Sequence, residues 1–197
     1  MSRRLPARTR DGTQIELLAT LELPIELPLV AQAGAAGIGL FRTEFVFMNR
    51  ETVPDEDAQT EVYSQVVEAM HGAEVTIRVL DWGGEKDIEA LTAAGLVPED
   101  TDENPALGTR GIRLLLRQPD LFGAQLAAIL RASMNGPVRV LLPMVTTVQE
   151  IKAARDLYQR VAWRLRLRGV DSARRRTVAL EKLALVGLEK YADRAIY

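Results

Sequence analysis

The 197-residue chain is 47% hydrophobic and 26% charged with a formal net charge of -2, the balance of a soluble globular protein with room for one domain and a core. It contains no run near the ~18 apolar residues that a membrane span needs, no apolar stretch behind its basic start to act as a secretory signal, and no cysteine. Disulfides, thiolate metal sites and thiol chemistry are therefore excluded and a cytoplasmic setting is expected, while 5% aromatic content argues against a base-stacking surface.

Residues 1–13 read as an exposed lead-in that ends at the Asp11-Gly12 turn, and the alternation over 14–19 predicts a first strand. A short crossover helix is expected within 23–32, because Pro28 is tolerated only near a helix's first turn. Small residues from Gly34 then lead into a second strand over 37–42. Pro54 and the acidic residues behind it open an amphipathic helix in which Val62, Val66, Val67 and Met70 share a face. His71, the only histidine, precedes Gly72 at the helix end and reads as a solvent-facing cap residue.

A third strand is predicted over 75–80, followed by Asp81-Trp82-Gly83-Gly84-Glu85-Lys86, where two glycines permit a backbone loop. Residues 90–101 carry no clear period. A turn at 104–108 leads to a short helix over 110–116, stopped near Pro119, and a longer helical run over 125–132 with Leu126, Ile129 and Leu130 inward. A fourth, almost wholly apolar strand is expected over 138–144. Thr147 and Glu150 then stand at capping-box spacing at the head of a helix that runs to about residue 168. Residues 178–197 have helix-like apolar spacing and no fifth strand.

Strands fed by helices, each ending in polar residues, indicate about four parallel βα units over 14–169 with a divergent helical tail over 170–197. The tract 152–176 holds nine Lys or Arg against two Asp. It reads as the solvated face of a helix rather than a nucleic-acid surface, because it has little aromatic interleaving.

The chemistry is expected at the C-terminal strand ends. A guanidinium at the end of a buried strand is costly unless it faces an anion, and Arg42 and Arg78 both stand at or near such ends. Two readings fit Arg42: an anion site, or a surface pair with Glu44 beyond a plain edge strand. The repeat of the pattern at Arg78 favours the anion, and two planar forks suit a phosphate. Gly83 and Gly84 could add backbone N–H donors. Arg110 and Arg113 could add positive charge, or Arg113 could lie on a helix surface.

Five blocks in order carry a resemblance: GAAGIGLFRTEFVFMNR (34–50), IRVLDWGGEK (77–86), ENPALGTRGIR (103–113), QLAAILRAS (125–133) and LLPMV (141–145). Over about residues 7–168 the chain resembles the phosphoenolpyruvate-binding C-terminal domain of enzyme I of the sugar phosphotransferase system, within the phosphoenolpyruvate (PEP)-utilising enzymes. The resemblance implies a TIM-type (β/α)8 barrel, here partial, that binds PEP and Mg²⁺ and belongs to a phosphoenolpyruvate-protein phosphotransferase, a transferase of phosphorus groups. It implies that Arg42 and Arg78 hold the substrate phosphate, with Arg110, Glu44, Asp81, Gly83 and Gly84 in support. In the family the phosphoryl group goes to a histidine of a separate N-terminal domain and then to a histidine phosphocarrier protein.

This sequence departs from the pattern in matching neither that phosphohistidine domain, nor the metal-binding glutamate of the fifth strand and Gly-Thr-Asn-Asp run of the sixth, nor the proton-donating cysteine. After Val170 it reads DSARRRTVALEK, the mark of a truncated or frame-shifted product. No catalytic residue or metal ligand set is expected here, Asp81, Glu44 or Glu85 offering Mg²⁺ only a weak hold, and autonomous turnover is not expected. The alternative is an inactive interaction or dimerisation half-barrel. Half a barrel leaves open edges at its first and fourth strands, to be covered by the tail helix from Val178 or by a second copy.

Overall fold

In the computed structural model, residues 6–82, 88–97 and 108–167 are described. Their elements run β1 (Leu18–Leu21), α1 (Leu27–Ala33), β2 (Gly37–Arg42), α2 (Glu44–Phe47), α3 (Glu56–Ala69), β3 (Val75–Arg78), α4 (Glu89–Ala93), α5 (Ile112–Arg117), α6 (Pro119–Ala132), β4 (Val138–Leu141) and α7 (Val148–Leu167). The four strands form one parallel sheet in the order β1-β2-β3-β4, so each crossover leads to the next neighbour and β1 and β4 are the edges among the described residues. Four consecutive parallel βα units are the expected partial barrel.

Local chemistry accounts for the boundaries. Pro24 opens a 3-10 turn (Pro24–Glu26), and Pro28 lies in the first turn of α1, where its missing N–H costs nothing. Asp55 caps α3 by accepting the Ala58 N–H at 2.8 Å. At the other end, His71 is exposed and left-handed (φ 49°), followed by Gly72 at φ 90°, so it is a helix-end residue as its position suggested. Pro119 both ends α5 and starts α6, which makes α6 six residues longer at its start than the apolar spacing from Gln125 indicated. The Thr147–Glu150 box forms reciprocally: Thr147 N–H donates to Glu150 at 2.9 Å and Glu150 N–H to Thr147 at 3.2 Å.

Three strands differ from expectation. The first is not 14–19: the segment before Leu18 turns back on the lead-in, with Ile15 N–H bonded to the Ala7 carbonyl at 2.9 Å and an Arg8–Gln14 antiparallel bridge. Its alternating Ile15 and Leu17 stay exposed, because no second layer covers them among the described residues. The third stops at Arg78 rather than residue 80 because β2 turns into α2 after Arg42, although Val79 and Leu80 remain fully buried. The fourth stops at Leu141 rather than residue 144, since Pro143 has no N–H to give and Met144 turns left-handed at φ 61°.

The core lies between the sheet and α3 and α6: Ile38, Phe41, Val75 and Ile77 meet Val66, Val67, Phe122, Leu126 and Ile129 in one buried cluster. Phe41 packs edge-on against Tyr63, ring centroids 6.0 Å apart. Outside the core, Arg131 of α6 and Arg164 of α7 both pair with Glu56, tying two helices to the start of α3.

The sheet has one irregularity. β2 carries an extra residue against both neighbours: Ala19 and Thr20 of β1 face Ile38 and Leu40, and the β3 register shifts between Ile38 and Phe41. The residue skipped is Gly39, where an added Cβ would stand 2.9 Å from Leu18 Cβ. Gly39→Ala is expected to lower stability by about 1–3 kcal/mol through this clash, read as a fall in the urea midpoint.

Candidate anion site at the strand ends

β2 and β3 end on paired residues: Arg42 is the register partner of Arg78. Both guanidiniums therefore leave the sheet at its C-terminal edge, one strand spacing apart. Arg78 donates from Nη2 to Glu44 Oε1 at 2.6 Å, and its Nη1 lies 3.6 Å from Asp81 Oδ2. Arg110, two residues before α5, grips the same Asp81 with both prongs, Nε to Oδ1 and Nη2 to Oδ2 at 3.2 Å each. Arg42 pairs with Glu22, the residue after β1, and its guanidinium carbon lies 5.9 Å from the centre of the Phe45 ring.

The Arg42–Glu44 surface pair is thus corrected. Glu44 opens α2, whose axis turns its side chain back toward β3, and it is buried against Arg78. Arg113 turns its Nε to the Gly108 carbonyl at 2.8 Å and its Nη1 to the Met144 carbonyl at 3.2 Å, so it braces two loops. Gly83, Gly84 and Glu85 lie outside the described residues.

A buried polar network that the sequence reading did not find underlies these arginines. The Thr43 hydroxyl donates to the Arg78 carbonyl at 2.8 Å, locking the two strand ends together. Gln125 of α6, fully buried, accepts the Leu80 N–H at 2.9 Å and donates to Thr43 Oγ1 at 3.1 Å and the Tyr63 hydroxyl at 3.0 Å. Tyr63 donates on to Gln59, which donates to the Pro54 carbonyl. Burial pushes the Tyr63 phenol well above its ordinary range, so it stays a neutral donor. The only sequence signal was a glutamine on the apolar face of a helix, and a buried amide must have partners.

The chemical capacity of the cluster is set by its balance. Three guanidiniums face three carboxylates, Glu22, Glu44 and Asp81. Both Asp81 oxygens and Glu44 Oε1 are engaged by arginines, and the Asp81 N–H also donates to Glu44 Oε1 at 3.2 Å, so that among the described residues Glu44 Oε2 is the one buried oxygen of these carboxylates left unpaired. A hard cation placed between them would face Arg78 and Arg110, so these residues do not fit Mg²⁺. Among the described residues no group of three or more His, Asp or Glu gathers as a metal site, and no helix is long and apolar enough to cross a membrane. The fork donors suit a small anion with several oxygens.

The sequence profile of the PEP-utilising enzyme, PEP-binding domain, matches residues 1–180. The chain belongs to that family. Its relatives include a phosphoenolpyruvate-protein phosphotransferase of Staphylococcus carnosus, 44% identical over 165 residues that make up 84% of this chain and 28% of that protein. One of the same name from Cupriavidus necator is 46% identical over 167 residues, 80% of this chain and 28% of its own. A multiphosphoryl transfer protein of Rhodobacter capsulatus is 42% identical over 156 residues, 79% and 18% of the two chains. The match thus spans less than a third of the length of those relatives, whose family is one of transferases.

Proposed function

We propose that the chain is the PEP-holding part of a phosphoenolpyruvate-protein phosphotransferase, with Arg42 and Arg78 gripping the substrate phosphate and Arg110 supporting them through Asp81. The observation that carries this reading is the Arg42–Arg78 register pair at the C-terminal edge of adjacent parallel strands, where a (β/α) barrel builds its site. Glu44 and Asp81 act as braces that hold Arg78 and Arg110 in place, and Gly83 and Gly84 follow on from Asp81 in sequence. Phosphoryl transfer depends on placing and neutralising the phosphoryl oxygens, which two forks one strand apart do without proton chemistry.

The barrel unit extends over 14–169, after a lead-in over 1–13, and the helical tail expected over 170–197 lies outside the described residues. Mg²⁺ would reach the substrate through ligands other than Glu44 and Asp81, and the phosphoryl group would pass to a histidine outside the residues described here and on to a histidine phosphocarrier protein. The setting is cytoplasmic.

Calorimetric titration with PEP and Mg²⁺ tests the reading. Saturable binding is expected, weakened at least ten-fold by Arg42→Ala and lost in Arg42→Ala/Arg78→Ala; a folded wild-type chain that releases no heat overturns it. Arg42 is about one-third exposed, so the single variant keeps the fold.

The β1 edge favours a second reading, an interaction half-barrel that associates with another copy. Leu17, Leu18, Ile25 and Leu29 are exposed there, Ile25 by 82%. Sedimentation showing a concentration-dependent dimer without PEP binding would support it.

A further inference from the structure

We propose that Glu22 sets the affinity and selectivity of the arginine site. Its carboxylate occupies the Arg42 guanidinium, and only a ligand carrying a phosphate displaces it. This rests on Arg42 and Arg78 being the phosphate grip.

The two arginines are held unequally. Arg78 and Glu44 have side chains 18% and 2% exposed, whereas Arg42 and Glu22 are 31% and 35% exposed. Exchange at Arg42 takes place in contact with water and costs little, while separating Arg78 from Glu44 would leave a charge buried. Arg42 is therefore the arm whose partner changes on binding. Glu22 is built into that position: it directly follows β1, and Glu26 accepts both the Glu22 and the Leu23 N–H, at 2.8 and 2.9 Å, which fixes the turn behind it. These two amides hold the Glu26 carboxyl below the usual carboxylate range, Leu23 the larger influence, so Glu26 stays the anchor of the turn. The Phe45 ring offers the guanidinium a platform whichever anion it faces.

A carboxylate and a phosphate ask the same fork geometry of arginine. A singly charged carboxylate has no advantage over Glu22, which is tethered beside Arg42 at high effective concentration. A phosphoryl group brings a second charge and a third oxygen that Arg78 can share, and it wins. The site then excludes simple carboxylates through a competitor of its own, without a steric barrier.

The test titrates inorganic phosphate, PEP and acetate into the wild-type chain, Glu22→Gln and Glu22→Gln/Arg42→Ala, with circular dichroism to verify the fold. Glu22→Gln is expected to bind phosphate and PEP about five-fold more tightly and to acquire measurable acetate binding. The double variant is expected to lose both gains. If the wild type binds phosphate and Glu22→Gln binds it no more tightly, the proposal is overturned and the grip stands. If neither chain binds phosphate or PEP, the grip itself falls and the proposal with it.

Discussion

Arg78→Met is expected to destabilise the chain by about 3–5 kcal/mol, the largest effect of any substitution at the site, because it strands the buried Glu44 carboxylate. Among the described residues Glu44 Oε2 has no hydrogen-bond partner even with Arg78 present, so Oε1 carries the compensation there through Arg78 and the Asp81 N–H. Adding Glu44→Gln should recover a large part of the loss, since an uncharged amide is far less costly to bury than a carboxylate. Urea denaturation of the four chains in a double-mutant cycle measures this. An Arg78→Met midpoint within error of wild type would show that the pair bears no load. PEP binding should be lost in both Arg78→Met chains, whatever their stability, which separates the arginine's two roles.

Gln125→Leu is expected to cost about 2–4 kcal/mol despite the similar size of the two side chains. The substitution leaves the Leu80 N–H without its acceptor and takes a donor from Thr43 and from Tyr63, all buried. Thr43 would lose its orientation toward the Arg78 carbonyl, so the β2 and β3 ends should loosen. Hydrogen exchange reads this directly: the Leu80 amide should exchange much faster in the variant while the amides of α7 keep their protection. Equal protection of Leu80 in both chains would show that Gln125 is a space-filler.

The parts legible in the sequence are those governed by short-range rules. β2 appeared with its observed bounds, because glycines and a buried apolar run bracket it. Pro28 located the start of α1, and Thr147 with Glu150 located that of α7. That Arg42 and Arg78 lie near the C-terminal ends of adjacent strands was legible too, because each is the charged residue late in an apolar run.

What was not legible depends on distant partners. Whether Glu44 faced Arg42 or Arg78 is decided by the turn into α2 and by β3, thirty-four residues on. Strand ends at Arg78 and Leu141 follow from a neighbour running out and from Pro143, while Leu80 finds a side chain in place of a strand. Ile15 and Leu17 alternate as a strand should, yet pairing with the lead-in claims that segment. Glu22 carried no local sign of its contact, which exists only because β1 lies beside β2.

The irregularity at Gly39 has a consequence for how this locus tolerates change. Ile38 pairs with Val75, and an unbroken register would set Arg42 opposite Val79, so the two arginines would emerge on opposite faces of the sheet. Leaving Gly39 outside the ladder as a bulge brings Arg42 opposite Arg78 instead. An in-frame loss of the Gly39 codon would therefore keep Ile38 opposite Val75 and Arg42 opposite Arg78, whereas a residue inserted into the ladder between them would direct Arg42 into the wrong layer. The relative placing of the two arginines is thus encoded partly by how many residues of β2 enter the ladder, a trait that a comparison of side chains alone would pass over.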